Sequence, residues 1–214
     1  MVAFQNIMRR MPWPLMIFIF FFVIIIIIIY KDNKDFFTLI RRVKSENYSD
    51  EEFIKQVSCY IRRHPFSLYN SDLRIKILPS LLISSNKAGV QRIIHKIRVV
   101  DVHDIALNNI IYVIFLLHEN VLKNEYVCML HKFKVRLQKK KKEWFLFFES
   151  DCEKIEFLTD YQEDPYLQGI KYYYMGVQRS EKGLLNEANE FFTKAYDKIN
   201  EKSFYNLLVA KGYR

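Results

Sequence analysis

Glycine and proline are scarce in this sequence of 214 residues, with only five of each. Turn-rich all-β proteins need many such residues at their chain reversals, so the scarcity speaks against that class and favours helices joined by short connections. The three cysteines, Cys59, Cys128 and Cys152, are odd in number and widely spaced. They therefore provide neither a disulfide framework nor a cysteine pair with metal-ligand spacing.

Motifs of catalysis and cofactor binding are also lacking. The sequence has no Walker loop, no GxGxxG turn, and no serine or cysteine in a recognisable nucleophile context. Its histidines show neither an HExxH pair nor another paired ligand spacing: His64, His95, His103, His118 and His131. We therefore expect a protein that is not an enzyme, with no catalytic residue, cofactor or metal ion, and histidines placed at the surface or at helix ends. An enzyme of unfamiliar type is the open alternative, which a deep pocket with converging polar groups would favour.

The longest apolar run covers residues 11–30, MPWPLMIFIFFFVIIIIIIY, and contains no charged residue. A helix of this length extends about 30 Å, the thickness of the hydrocarbon core of a bilayer. The run therefore predicts a transmembrane anchor. Its aromatic ends suit the two membrane interfaces, and its interior faces lipid. The anchor residues from end to end are Trp13, Phe18, Phe22, Ile26 and Tyr30.

A cleaved secretory signal is the alternative to a retained anchor, because residues 1–10 form a short basic leader with Arg9 and Arg10. No small residues of a cleavage site follow the apolar run, which favours retention. Basic residues flank the run on both sides, but long domains are exported largely regardless of charge. We expect a single-pass protein of the inner (cytoplasmic) membrane with an exported, periplasmic domain. A cytoplasmic location of this domain is the alternative.

The formal net charge of +9 raises the question of an anionic partner. The basic residues are scattered over several predicted helices, with one block at residues 139–142. No recognisable nucleic-acid module accompanies them, so a solvated surface is the preferred interpretation and no nucleic-acid partner is expected. The alternative is an anchored domain that binds an anionic ligand, lipid or nucleic acid, through this basic surface.

Helical periodicity continues through the rest of the chain. Residues 31–48 are predicted to form a juxtamembrane amphipathic helix or linker, and residues 49–214 a helical domain. Ser49 with Glu52 forms a capping box, the segment Ser84-Ser85-Asn86 caps a later helix, and Pro165 after Glu163 and Asp164 begins another. Residues 105–117 are apolar on nearly every side but too few to span a bilayer, so we expect a central buried helix there.

Residues 121–150 allow two interpretations. Apolar positions in 121–137 suit a helix, whereas the alternation of Phe133, Val135 and Leu137 would suit a strand paired with residues 144–148. Helices are preferred, because the lysines at 139–142 lack the Gly, Asn or Asp that a tight hairpin turn needs.

Residues 172–196 match a known motif. A large residue and a small one lie on a first helix, a glycine marks the turn, and a small, a bulky and a small residue lie on a second helix: Tyr172, Met175, Gly176, Gly183, Ala188, Phe192 and Ala195. This spacing resembles a tetratricopeptide repeat and implies a close helical hairpin over residues 165–200. Arg179 and Asn200 depart from the family pattern, which prefers an apolar residue and a proline there. An ordinary helical hairpin is the alternative.

Residues 203–213 are predicted to form a capping helix over this hairpin through Phe204, Leu207 and Leu208. The expected fold is thus all-α: one N-terminal transmembrane helix followed by a helical-hairpin, tetratricopeptide-like bundle or short solenoid. The layout of one anchor and a short repeat domain is similar to that of subunits of the periplasmic collar around spirochaete flagellar motors. The resemblance implies a non-enzymatic membrane scaffold whose partners are the lipid bilayer, through residues 11–30, and other proteins, through the helical domain, in a multi-subunit envelope assembly.

Overall fold

The computed structural model describes residues 12–45, 49–84, 86–153 and 164–213, together with Ile155 and Leu158. The leader at 1–10 and residues 46–48 of the linker lie outside these ranges. Within them the chain forms ten α-helices and no strand, which confirms the all-α prediction. The helices are α1 (Trp13–Ser45), α2 (Asp50–Arg63), α3 (Asn70–Ile83), α4 (Lys87–Lys96), α5 (Leu107–Glu119), α6 (Lys123–Lys140), α7 (Lys142–Glu149), α8 (Pro165–Glu181), α9 (Leu185–Ile199) and α10 (Lys202–Ala210).

Helix α1 continues without a break from the predicted anchor into the predicted juxtamembrane helix. The most apolar part of its candidate spanning stretch, Trp13–Arg42, has a mean hydropathy of 3.0, and none of that part is buried in protein. By length and composition the helix can cross a bilayer. Its later turns are covered instead, because Leu39 is buried and Phe36 and Ile40 pack against the core.

Side-chain caps begin three helices where the sequence predicts them. Ser49 and Asn86 accept hydrogen bonds of 3.3 and 2.8 Å from backbone N–H groups three residues further on. Asp164 does the same at 3.1 Å, directly before Pro165 in the first turn of α8. Each cap satisfies a backbone donor that the first helical turn leaves without a partner. Helix α3 passes through Pro79 as one continuous element.

Helix α5 lies at the centre of the bundle, as predicted for the apolar segment 105–117. Ten of its thirteen residues are buried. It contacts α3, α6 and α8, so protein surrounds its apolar surface on several sides. At about 20 Å it is too short to span a bilayer.

The helical interpretation of residues 121–150 is confirmed, and the strand hairpin that was its alternative is wrong. Phe133 and Leu137 are buried on one face of α6 while Val135 is exposed, a pattern of helical rather than alternating spacing. The lysine block interrupts the helix instead of forming a hairpin turn. Lys141 leaves helical geometry at φ −146°, and α7 begins at the next residue.

Helices α8 and α9 form an antiparallel hairpin in which Gly169 lies against Ile199 and Gly176 against the ring of Phe192. Gly183 adopts φ +76° in the connection, a left-handed conformation that favours glycine. Asn200 ends α9 at φ +43°. Asparagine tolerates this conformation and proline cannot adopt it, which explains the departure from the repeat pattern at this position.

The predicted capping helix is observed as α10, with Phe204, Leu207 and Leu208 buried. It contacts α9 and also α3, and the Tyr112 and Ser203 hydroxyl oxygens lie 2.8 Å apart. The end of the chain therefore packs onto the N-terminal half. Of the two predicted arrangements, the contacts match a closed bundle rather than an open solenoid.

The bundle has two ends, which differ in their relation to α1. The proximal end, nearest the apolar part of α1, comprises residues 64–69, 97–106 and 139–142. The distal end comprises residues 119–122, 150–153 and 211–213, near the last turn of α5. Helix α2 runs antiparallel to α1, because Tyr60 and His64 at its C-terminal end contact Asp32 and Asp35. The connection from α2 to α3 thereby reaches back towards the apolar run.

Candidate functional site

A cleft of about 440 Å³ opens at the distal end, between the end of α5 and helices α6 and α7. Its walls combine aliphatic and aromatic side chains with a few polar groups, including His118, Val121, Tyr126, Leu130, Phe148 and Asp151. Concave surfaces of this size, mostly apolar with few polar groups, are typical binding sites. The cleft is therefore the candidate functional site of the helical domain.

Two residues lining the cleft have left-handed backbone conformations that non-glycine residues rarely adopt. Val121, in the connection from α5 to α6, has φ +57°, and Asp151, after α7, has φ +55°. For a β-branched residue such as Val121 this conformation costs about 1–2 kcal/mol. It also leaves the Val121 side chain 82% exposed at the mouth of the cleft. Strain of this kind tends to concentrate at functional sites.

A buried polar cluster supports the wall of the cleft. The carboxylate of Glu119, at the end of α5, accepts hydrogen bonds from the hydroxyls of Tyr173 at 2.7 Å and Tyr174 at 2.9 Å. The Nζ atom of Lys211 lies 3.2 Å from its Oε2 atom, and Nδ1 of His118 lies 3.1 Å from its Oε1 atom. Both carboxylate oxygens of Glu119 are thus satisfied, as a buried charge requires.

The cluster keeps its charged members ionised. Burial alone would raise the pKa of Glu119, but hydrogen bonds from His118 and Tyr173 and the charge of Lys211 lower it to about 2. Contacts with Cys152 and with the Glu119 carboxylate raise the pKa of His118 to about 10. At neutral pH a histidinium and a carboxylate therefore lie side by side behind the cleft.

Cys152 completes the cluster on the side of α7. Its Sγ atom lies 3.2 Å from the hydroxyl of Tyr174, which also lies within reach of Glu119 and His118. A hydroxyl donates a single proton, and the carboxylate at 2.9 Å is the strongest acceptor among these neighbours. Burial and the neighbouring acidic groups raise the pKa of Tyr174 well above its usual value, so this proton stays in place.

The donors and acceptors of the cluster face one another, which suits a structural role. His118 bonds Glu119 on one ring nitrogen, and its Nε2 atom lies 3.3 Å from Asp151 at the cleft. Within the described ranges, no group of three or more His, Cys, Asp or Glu side chains could hold a metal ion. The cluster thus joins α5, α8 and the end of the chain around one ionised carboxylate and fixes the shape of the cleft wall.

Sequence reasoning placed His118 at the surface or at a helix end, and it lies in the last turn of α5, but the cluster around it was missed. The partners of Glu119 come from distant positions, at residues 118, 173, 174 and 211. One signal was available: Glu119 lies two residues beyond the apolar segment 105–117, and a carboxylate there needs a partner when the helix is buried.

The predicted anchor residues lie together on the uncovered part of α1. None of their side chains is buried, and their exposed fractions run from 50% to 73%: Trp13, Phe18, Phe22, Ile26 and Tyr30. In water such a row of large apolar side chains would be unfavourable.

Directly after the anchor, a second polar cluster joins α1 to the bundle. The Tyr60 hydroxyl donates to Asp32 and lies 3.0 Å from the Ser67 oxygen. The His64 ring contacts Asp32 through Nδ1 at 3.5 Å and Asp35 through Nε2 at 3.0 Å. These contacts hold α1 in a fixed position on the end of α2.

An aromatic stack strengthens the same junction. The rings of Phe36 and Tyr69 are stacked with centroids 3.9 Å apart, and the Tyr69 hydroxyl donates to Asn33 at 2.9 Å. The sequence pattern alone did not single out Asp32 and Asp35. The structure shows them as the attachment points of the helical domain, together with Asn33.

The residues predicted from the repeat pattern meet at the α8–α9 contact. Gly176, Ala188, Phe192 and Ala195 are buried, and a Cβ atom added at Gly176 would lie 2.7 Å from the Phe192 ring. Of the other predicted packing residues, Tyr172 and Met175 are only half-buried, and Gly183 lies in the turn. Tyr173 and Tyr174, which the pattern did not single out, are the buried aromatics instead.

No family model, curated protein or solved structure matches this chain.

Proposed function

We propose that this protein is a non-enzymatic membrane-anchored scaffold or adaptor, whose helical domain holds other proteins in an envelope-associated assembly. The observation that supports it best is the construction of α1. One helix carries an apolar stretch with no protein cover and continues into turns that are fixed to α2 and α3. A domain attached in this way has a defined position relative to the membrane, which suits a docking platform.

The anchor is proposed to be retained in the inner membrane and the helical domain to be exported. Cleavage after the apolar run would remove the part of α1 before Asp32, and the junction with Tyr60 and His64 begins directly there. Retention is therefore compatible with a domain that packs against the same helix. An assembly of the flagellar-collar type is the most specific form of the proposal and rests on the layout of anchor and hairpin.

The distal cleft is the proposed contact surface for a protein partner. It lies at the end of the bundle that points away from the apolar run, where a partner has access without meeting the membrane. Val121 and Val127, both among the residues that line the cleft, are 82% and 53% exposed. A partner segment with apolar side chains would cover both and reduce the exposed apolar surface.

Crosslinking in intact cells tests this proposal. A photo-reactive residue in place of Val121 is expected to capture the same small set of envelope proteins in repeated experiments. Val127→Arg places a charged side chain at the cleft and is expected to abolish these adducts. Val135→Arg is the matched control, because Val135 lies on the same helix, is 77% exposed and does not line the cleft. Adducts that survive Val127→Arg, or that disappear equally with Val135→Arg, would contradict the proposed surface.

The alternative function is binding of an anionic ligand by a basic surface. The observation in its favour is the exposed lysines at 139, 140 and 142 at the proximal end. Such binding weakens steeply as the salt concentration rises, whereas a protein complex with an apolar contact tolerates salt. The salt dependence of the captured complexes therefore separates the two functions.

A further inference from the structure

The α2–α3 connection at residues 64–69 exposes apolar side chains to an unusual degree. Phe66 is 92% exposed, and no other large hydrophobic side chain in the described part of the chain is more exposed. Leu68, two residues later, is 62% exposed. Exposure of a phenylalanine ring to water is unfavourable, so a ring at the tip of a short connection indicates a contact with an apolar partner or a membrane.

The junction with α1 fixes where this connection lies. His64, at its beginning, contacts Asp32 and Asp35, and Tyr69, at its end, bonds Asn33. These α1 residues follow Tyr30, the end of the apolar run, by two to five positions, or about 3–8 Å along the helix axis. The headgroup layer on each side of a bilayer is about 5–8 Å thick. The connection is thus held at the depth of the headgroups.

A second connection lies beside the first. The rings of Tyr69 and His103 stack with centroids 5.8 Å apart, and the backbone N–H of Arg98 donates to the Ser71 hydroxyl at 3.1 Å. Residues 97–106 therefore belong to the same end of the bundle. They expose two further apolar side chains, Val100 at 89% and Ile105 at 88%.

The proximal end is also basic. Arg62 and Arg63 are exposed at the end of α2, next to the first connection. Lys140 lies 3.5 Å from Asp104 in the second connection, which places the exposed lysines at 139, 140 and 142 on the same end.

The carboxylates of this end have partners within the protein. Asp104 pairs with Arg136 at 2.5 Å, Asp101 with Arg98, and Asp72 with His103. Asp32 and Asp35 are occupied by the junction with His64 and Tyr60. The charge that remains available to an outside ligand is positive.

We propose that the proximal end is a second membrane contact, in which Phe66 and Leu68 enter the headgroup region and Arg62 and Arg63 bind the phosphates of anionic lipids. The proposal rests on the proposed function in one respect, since it requires α1 to stay in the bilayer. Exposed apolar side chains flanked by basic residues, attached to a transmembrane helix at headgroup depth, match the chemistry of an anionic lipid surface. The contact would fix the domain upright on the membrane and leave the distal cleft open to partners.

The full-length chain in nanodiscs of mixed phosphatidylcholine and phosphatidylglycerol allows a direct test. A photo-reactive phenylalanine analogue replaces Phe66 in one sample and Val121 in the other. Both side chains are highly exposed, at 92% and 82%, so the substitutions are expected to preserve folding and the two probes are matched in exposure. They differ in position, because they lie at opposite ends of the bundle. We expect lipid adducts from position 66 and only background from position 121.

Headgroup preference is measured with the same probe at position 66. Arg62→Gln with Arg63→Gln is expected to lower the ratio of phosphatidylglycerol to phosphatidylcholine adducts by up to about five-fold per arginine. Lys87→Gln with Lys123→Gln, two exposed lysines at the distal end, serves as the charge-matched control and is expected to leave the ratio unchanged. An unchanged ratio in the arginine variant would overturn the anionic contact.

Membrane integration of the same two probe variants, tested in cell membranes rather than in nanodiscs, separates this proposal from the anchor. If the chain resists alkaline carbonate but position 66 gives no more lipid adduct than position 121, the second contact is disproved and the anchor stands. If carbonate releases the chain, the anchor and the second contact are both disproved.

Discussion

The apolar part of α1 and helix α5 are both apolar on nearly every side, yet of these two only α5 is covered by protein. Ten of the thirteen residues of α5 are buried, whereas none of the most apolar stretch of α1 is. The two differ in length: α5 spans about 20 Å and fits within a small bundle, while the apolar part of α1 matches a bilayer. An all-apolar helix needs an apolar environment; α5 finds it within the protein, and the apolar part of α1 has the length to find it in a bilayer.

Truncating a phenylalanine in each helix gives the largest expected difference. Phe115→Ala in α5 removes a fully buried ring from the core and is expected to lower the free energy of unfolding by about 3–5 kcal/mol. Phe22→Ala in α1 is expected to leave it unchanged, because the Phe22 ring is 55% exposed in the protein. Chemical unfolding of the full chain in mild detergent, followed by circular dichroism, measures both. Equal losses would show that protein covers the two helices alike.

The cover of α5 also depends on the ionised carboxylate at its end. Glu119→Gln removes the charge that Tyr173, His118 and Lys211 surround, and is expected to cost about 2–3 kcal/mol. Glu190→Gln is the control, since Glu190 bonds only Lys194 on the surface of α9 and its loss is expected to be undetectable. A Glu119→Gln protein as stable as the control would mean that packing alone holds α8 against α5.

The pH dependence of stability sharpens the same point. Because the folded state raises the pKa of His118 from 6.5 to about 10, its contribution is complete below pH 6.5 and is lost as the pH rises towards 10. The wild-type chain is therefore expected to lose about 1–2 kcal/mol between pH 6 and pH 9.5, in unfolding experiments at each pH. His118→Gln is expected to abolish most of this loss. If the variant keeps the full pH dependence of the free energy of unfolding, a group other than His118 causes it.

The smallest expected effect lies at the boundary between the uncovered and covered parts of α1. Tyr60→Phe removes the hydrogen bond to Asp32 and is expected to lower stability by about 1 kcal/mol, without changing the fraction of chain in membranes. Unfolding in detergent and membrane fractionation of the same variant give the two values. A loss of membrane association would mean that the domain, rather than the apolar run, holds the chain at the membrane.

Local signals in the sequence were sufficient to predict three of the helix starts. Ser49, Asn86 and Asp164 each cap a helix through a backbone group three residues away, so nothing distant was needed to predict them. The same is true of the apolar run of α1 and the apolar segment of α5, because the length of each can be read directly from the sequence.

The two polar clusters could not be predicted, because their partners are distant in sequence. Glu119 finds Tyr173, Tyr174 and Lys211 only because α8 and the end of the chain pack beside α5. The junction likewise joins Asp32 to Tyr60 across an intervening chain reversal. Such pairs depend on the tertiary arrangement, which helical periodicity alone leaves open.

The most direct test of the central claim is alkaline carbonate extraction of membranes from cells that produce the full-length protein, followed by intact-mass analysis of both fractions. The account predicts a chain of 25.9 kDa in the membrane pellet. Protein in the supernatant, or a shortened chain that begins after Tyr30, would contradict it.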